Sequence, residues 1–181
     1  MKELSLNILD IAENSVKAKA TLVEITITET DSTLEIRIAD NGTGMTEDTL
    51  RSVSDPFYTT RTTRRVGMGI PLFKFAAEQT GGSLTISSRH FSVCEDHGTE
   101  LKATFYKNHI DYTPLGDVIS SVTTLIQGHP DTDFLFNHIG TDRTVSLDTR
   151  ELRTVLEDVP LDTFEVLMWI KENLTEQYNT I

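Results

Sequence analysis

The chain has little cysteine, little positive charge and no long apolar run. One thiol, Cys94, among 181 residues excludes an internal disulfide. No cysteine or histidine pair has zinc-ligand spacing, and His90, His97, His109, His129 and His138 stand scattered along the sequence. Residues 131–142 are acidic, but they lack the mid-loop glycine and final glutamate of a calcium-binding loop. No stretch approaches the roughly 18 apolar residues of a membrane span, and the N-terminus lacks the basic start and apolar run of a signal peptide. A cytoplasmic protein is expected. With 16 Lys and Arg against 28 Asp and Glu, the net charge is -12. Nonspecific binding to nucleic acid or anionic lipid needs a basic surface, so neither partner is expected.

What is present suffices for a globular fold: 38% hydrophobic and 24% charged residues can bury one good core and a second small one. Residues 1–106 carry 11 basic and 15 acidic side chains, whereas residues 107–181 carry 5 and 13. That shift, near Pro114 and Gly116, predicts two regions, 1–108 and an acidic 109–181. There is no internal repeat. Leu4, Ile8, Ile11 and Ser15 recur at helical spacing over 3–18. Val23, Ile25, Ile27 and then Leu34, Ile36, Ile38 alternate as a hairpin. A short helix over 46–53, a polar stretch 59–66, a helix from Gly67 to the Gly81-Gly82 stop, and strands 84–88 and 100–106 follow. The expected fold is α+β, a two-layer sandwich with helices on one face of a mixed, mostly antiparallel sheet. A small α/β region completes it: a helix 114–127, strands 134–139 and 144–147, and helices split by Pro160. In the last helix, Phe164, Leu167, Met168 and Leu174 form an apolar stripe expected to pack or dock.

Asp40-Asn41-Gly42-Thr43-Gly44-Met45 stands at the mouth of the second strand. Such a hexamer makes an ordinary turn. It equally offers a carboxylate to an adenine amino group and glycines that let the backbone approach a flat ring. Asp10 and Asn14, four apart on the first helix, share one side. They are either a solvated pair, or a magnesium ligand (Asn14) beside a residue that orients or deprotonates water (Asp10). Lys17, three residues on, is either solvated or within reach of a phosphate. Arg61, Arg64 and Arg65 lie in a threonine-rich stretch that runs into Gly67-Met68-Gly69. A surface loop explains them, and so does a triphosphate needing guanidinium charge and helix N-terminal donors.

Taken together, these segments resemble the GHKL ATPases: gyrase, the heat-shock chaperone ATPases, histidine kinases and the MutL mismatch-repair proteins. Ile8 to Val16 resembles their N-box and Asp40 to Met45 their G1 box. Asp55-Pro56-Phe57-Tyr58-Thr59-Thr60-Arg61 is similar to the F-box of histidine kinases, Gly67 to Leu72 to the G2 box, and Gly98-Thr99-Glu100-Leu101 to the last turn and strand. The resemblance covers about residues 4–106. It implies the Bergerat ATP-binding fold, with ATP and Mg²⁺ as cofactors. It also implies ATP contacts at Asn14, Lys17, Ala18, Asp40, Gly42, Gly44, Met45, Arg61, Gly67, Met68, Gly69 and Thr99. Within that set Asn14 holds the metal, Asp40 accepts the adenine amino group and Thr99 closes the base pocket through water. Arg61 takes the place of the F-box lysine.

The chain departs from the pattern in two places. Where hydrolytic members put a glutamate four residues before the magnesium asparagine, it has Asp10, one methylene shorter; Asp10 is the candidate catalytic residue. It begins almost at the N-box, without the dimerising helices and phosphoacceptor histidine of histidine kinases. Two readings follow. One is an ATPase, or a kinase acting on a separate protein partner in signal transduction. The other is a noncatalytic regulatory module whose lid orders on nucleotide binding.

Overall fold

The computed structural model describes residues 3–54 and 69–180. The expected Asp55 to Arg61 box, Arg64, Arg65, Gly67 and Met68 lie outside the described residues. Six helices and six strands follow in the order α1 (Leu4–Lys17), β1 (Leu22–Glu29), β2 (Thr33–Asp40), α2 (Glu47–Ser54), α3 (Gly69–Gln79), β3 (Ser83–Arg89), β4 (Gly98–Tyr106), α4 (Val118–Gly128), β5 (Asp133–Ile139), β6 (Thr144–Asp148), α5 (Thr149–Leu156) and α6 (Phe164–Asn179), counted among the described residues.

The strands form one open sheet in the order β3-β4-β2-β1-β5-β6. Every neighbouring pair is antiparallel except β1 and β5. Period-two alternation decides which side is dry. Val23, Ile25, Ile27, Leu34, Ile36, Ile38, Leu101, Ala103 and Phe105 are buried beneath the helices. The opposite face carries charge: Arg37 bridges Glu24 at 3.3 Å and Glu100 at 2.6 Å, and Lys102 meets Glu35 at 2.8 Å. The fold is therefore the two-layer α+β sandwich that the patterning predicts.

The acidic C-terminal region extends this same sheet, and its Val122, Leu125, Phe134, Phe136, Ile170 and Leu174 join the same buried cluster. It also completes the start of α1. The Glu3 side chain, at the N-cap, does not cap the first amides of the helix, so they need other partners. Leu4 N–H donates to the Pro114 carbonyl at 2.9 Å and Ser5 N–H to that of Leu115 at 2.8 Å. This explains why α4 starts at Val118, four residues later than its sequence suggests. Pro114 and Leu115 are engaged with α1, Gly116 takes φ +77°, and Asp117 caps the Ser120 amide at 2.9 Å.

The last helix differs from expectation. It buries Val166, Ile170 and Leu174, while Phe164 and Met168 of the expected stripe face solvent at 73% and 40% exposure.

Candidate nucleotide site

Asp40 continues the parity of Leu34, Ile36 and Ile38, so β2 aims its carboxylate into the helical layer. There Ser15 Oγ–H donates to Oδ2 at 2.7 Å. The backbone amides of Gly42 and Thr99 donate to Oδ1 at 2.9 and 3.3 Å. One carboxylate oxygen is thus fixed by two backbone donors. The other takes a single hydroxyl and keeps lone-pair capacity for a ligand N–H.

The glycines around it are required by close approach. A Cβ on Gly42 would lie 2.7 Å from the Ala18 carbonyl oxygen, which accepts from Thr43 N–H at 2.8 Å. Gly98, at φ +140°, would place one 1.9 Å from the Asp40 carbonyl oxygen. Gly44, at φ +66°, packs on the Arg89 carbonyl. No other residue type meets these positions without moving the backbone. The loop after β2 is therefore pressed between the end of α1 and the β3–β4 connection.

Side chains pin that loop on both sides. Asn41 Oδ1 accepts from the Thr21 and Leu22 amides at 2.9 and 3.0 Å, tying the loop to the start of β1. Ser88 Oγ accepts from Met45 N–H at 2.8 Å and lies 2.8 Å from Thr99 Oγ1. His97 Nδ1–H donates to the Gly42 carbonyl at 2.5 Å.

The second group lies on the exposed side of α1. Asp10, Asn14 and Lys17 are exposed, and their side chains make no hydrogen bond or ion pair with described residues. Gly69, the first residue of α3, meets Asp10: a Cβ there would lie 3.3 Å from Asp10 Cβ. The structure thus brings the first described turn of α3 against the Asp10 side chain. Arg61, Gly67 and Met68 fall outside the described residues. Of the remaining sequence candidates, Asp40, Gly42, Gly44, Met45, Thr99 and Ala18 form one cluster, with Asp10, Asn14 and Lys17 on the exposed side of α1 and Gly69 of α3 against Asp10.

Sequence reasoning missed Ser15, Asn41, Ser88 and His97 as members of the cluster. Two of them carried a usable signal. Ser15 is a polar residue in the apolar stripe of α1, and Ser88 one at a core-parity position after Leu84 and Ile86. Asn41 and His97 carried none, because their partners are set by tertiary approach.

A concavity of 430 Å³ opens on the opposite, charged face between Glu24, Arg37, Arg89 and Glu100, touching Asp40 and Thr99 only from behind. Its two arginines are already ion-paired. The aimed carboxylate and the glycine approaches lie on the helical side, and that side is the candidate site.

Several solved structures share this arrangement of sheet and helices. The Aquifex aeolicus MutL ATPase domain complexed with ADP superposes with TM-score 0.53 at 18% identity, over 87% of this chain and 70% of that one. The N-terminal domain of a DNA repair protein superposes with TM-score 0.54 at 15% identity, over 81% of this chain and 53% of that one. At such identities the likeness is one of fold. Its extent takes in residues beyond β4, where β5 continues the sheet. Comparison by sequence with curated proteins gives no match. Residues 2–109 match the family model of histidine kinase-, DNA gyrase B- and HSP90-like ATPases, a segment holding α1, the Asp40 loop and the Gly98-Thr99 turn together. With more than half its length matched, this chain belongs to that ATPase family.

Proposed function

We propose that the protein binds ATP with Mg²⁺ and either hydrolyses it or passes its γ-phosphoryl group to a separate protein. One observation carries this reading above the others: Asp40, held by Ser15, Gly42 and Thr99, presents a carboxylate beside glycines that clear room for a flat base. The adenine amino group donates to Asp40. Gly42, Gly44 and Met45 give backbone approach to the ring, with Ala18 and Thr99 at its edges. The phosphates run along α1 toward Lys17 and the α3 N-terminus at Gly69, with Arg61, Gly67 and Met68 as their further partners. The nucleotide of the MutL domain, ADP, fits the same site chemistry.

The donor set suits magnesium. Asn14 and Asp10 offer hard side-chain oxygens without partners among the described residues, and no group of three His, Cys, Asp or Glu among those residues builds an all-protein cage. Magnesium keeps its waters and uses one or two protein oxygens together with substrate phosphates. Bound there, it neutralises phosphate charge. Asp10 orients the attacking water or hydroxyl and takes its proton, while the α3 N-terminus favours the charge that develops on the transferring group. Net charge -12 keeps nucleic acid and anionic membranes out of the partner set and suits a cytoplasmic place in signal transduction. The ATPase unit is residues 1–108, with 109–181 as its acidic companion.

A second reading, a regulatory nucleotide-binding module without turnover, draws on the same Asp10. The side chain is exposed and has no hydrogen-bond or ion-pair partner among the described residues to orient it. Incubation with γ-labelled ATP and Mg²⁺, alone and with candidate partner proteins, separates the two. The enzyme reading expects label in phosphate or on a partner, falling about a hundredfold in Asp10→Asn. Binding without release or transfer of label establishes the module.

A further inference from the structure

The solvent side of α6 is built like an interface. Its inner side buries Val166, Ile170 and Leu174, with Leu167 and Tyr178 partly buried beside them. At 100° per residue the opposite side presents Phe164, Met168 and Trp169, exposed 73%, 40% and 49%. Glu165, Glu172 and Glu176 lie among them, exposed and outside every ion pair of the described residues. Single exposed apolar residues are ordinary, but Phe164 and Met168 one turn apart, with Trp169 across the intervening glutamates, on the solvent half of a helix already anchored by its other half, are not. Lys171, the helix's one basic residue, projects at the margin toward Asp117, whose carboxyl it helps hold below its usual value after the Ser120 hydrogen bonds. The face is therefore apolar and triply negative.

We propose that this face docks a basic amphipathic segment of a partner protein, its apolar residues covering Phe164, Met168 and Trp169 and its lysines or arginines meeting Glu165, Glu172 and Glu176. Charge selects that occupant. A second copy would set glutamates against glutamates, a juxtaposition that opposes association. An anionic lipid surface or nucleic acid is repelled for the same reason. Apolar anchors on one helical face are read by a partner helix at spacings of three and four, and tryptophan is the residue type that most often dominates such contacts. The inference does not depend on the nucleotide reading.

Trp169 is the chain's single tryptophan, so its emission reports the face alone. The full chain is titrated with a synthetic Leu/Lys amphipathic helical peptide and, separately, with its Leu/Glu counterpart. The proposal expects a blue shift of Trp169 emission with the first peptide only, weakening as salt rises. The double variant Phe164→Ser, Met168→Ser, which keeps the charge, and the triple variant Glu165→Gln, Glu172→Gln, Glu176→Gln each weaken binding about tenfold or more, with thermal unfolding unchanged. Control substitutions Glu47→Gln and Asp48→Asn, on α2, leave binding intact. Three results overturn the proposal: no blue shift; binding that the α6 variants leave unaltered, which marks diffuse attraction to an acidic protein; or a blue shift that appears on concentrating the chain alone, which marks self-association.

Discussion

Asn7 stands one turn before Asp10 on α1, 1% exposed, and its Nδ2 has no hydrogen-bond partner among the described residues. A buried donor without an acceptor costs about 1–3 kcal/mol, while an apolar group of the same branching costs nothing for desolvation. Asn7→Leu therefore raises stability by about 1 kcal/mol, measured as a shift in denaturation midpoint at unchanged m-value. A drop in stability would mean that the amide is satisfied in solution. Residues also mark how far sequence reading reached into the site. Asp40, Gly42, Gly44 and Asp10 are legible because their constraint is local: a carboxylate at a strand end, a glycine in a turn, a carboxylate one turn before an asparagine. Asn41 and His97 are not, since the chemistry of each depends on partners 19–20 and 55 residues away that only the folded sheet delivers.

At the scale of elements, β1, β5, α6 and the chain after β4 meet in one polar junction. His138 on β5 is 8% exposed. Its Nε2–H donates to Glu29 Oε2 at 3.1 Å, its Nδ1 accepts from the Tyr178 hydroxyl at 2.8 Å, and Lys107 Nζ holds Glu29 Oε1 at 2.6 Å. Burial pushes the imidazole below its ordinary 6.5, with Arg143 and Lys107 adding to the effect and Glu29 opposing it. Burial would raise the Glu29 carboxyl, but Lys107 and His138 outweigh it and hold that group below 4.5. The sign for His138 follows from proton binding. Below pH 6.5 the unfolded chain takes up a proton that the folded chain refuses, so stability is full above 6.5 and falls as pH drops toward the folded value. Chemical denaturation at pH 7 and pH 5 then shows a loss in the native chain that His138→Gln reduces. An equal loss in both would place the acid sensitivity elsewhere. Local patterning gives the elements meeting here, strand for strand. It gives neither their pairing, since nothing near Leu22–Glu29 announces a parallel partner at Asp133–Ile139, nor the delayed start of α4, which long-range bonds from Pro114 and Leu115 impose.

For the whole molecule, the acidic C-terminal region is part of what holds the candidate nucleotide site. β5 pairs with β1 along seven residues, α4 packs on α1, His129 Nε2–H donates to Glu13 at 2.8 Å, and Pro114 and Leu115 satisfy the opening amides of the helix that carries Asp10, Asn14 and Ser15. A fragment ending at residue 108 leaves β1 as a bare edge and uncovers the apolar faces that Val122, Leu125, Phe136 and Ile170 close. The full chain is expected to unfold in one cooperative transition by both far-UV dichroism and Trp169 fluorescence. The 1–108 fragment is expected to aggregate or to lack a cooperative transition. Two separated transitions, or a stable fragment, would show that the regions stand independently.

The account rests on the carboxylate at the end of β2, and calorimetric titration of ATP with Mg²⁺ into the native chain and Asp40→Asn tests it most directly. A hydrogen bond to a charged acceptor is worth about 1.5–3 kcal/mol, so the account predicts affinity weakened about tenfold to a hundredfold, with the fold preserved by dichroism. Equal ATP affinity in the two proteins would contradict it.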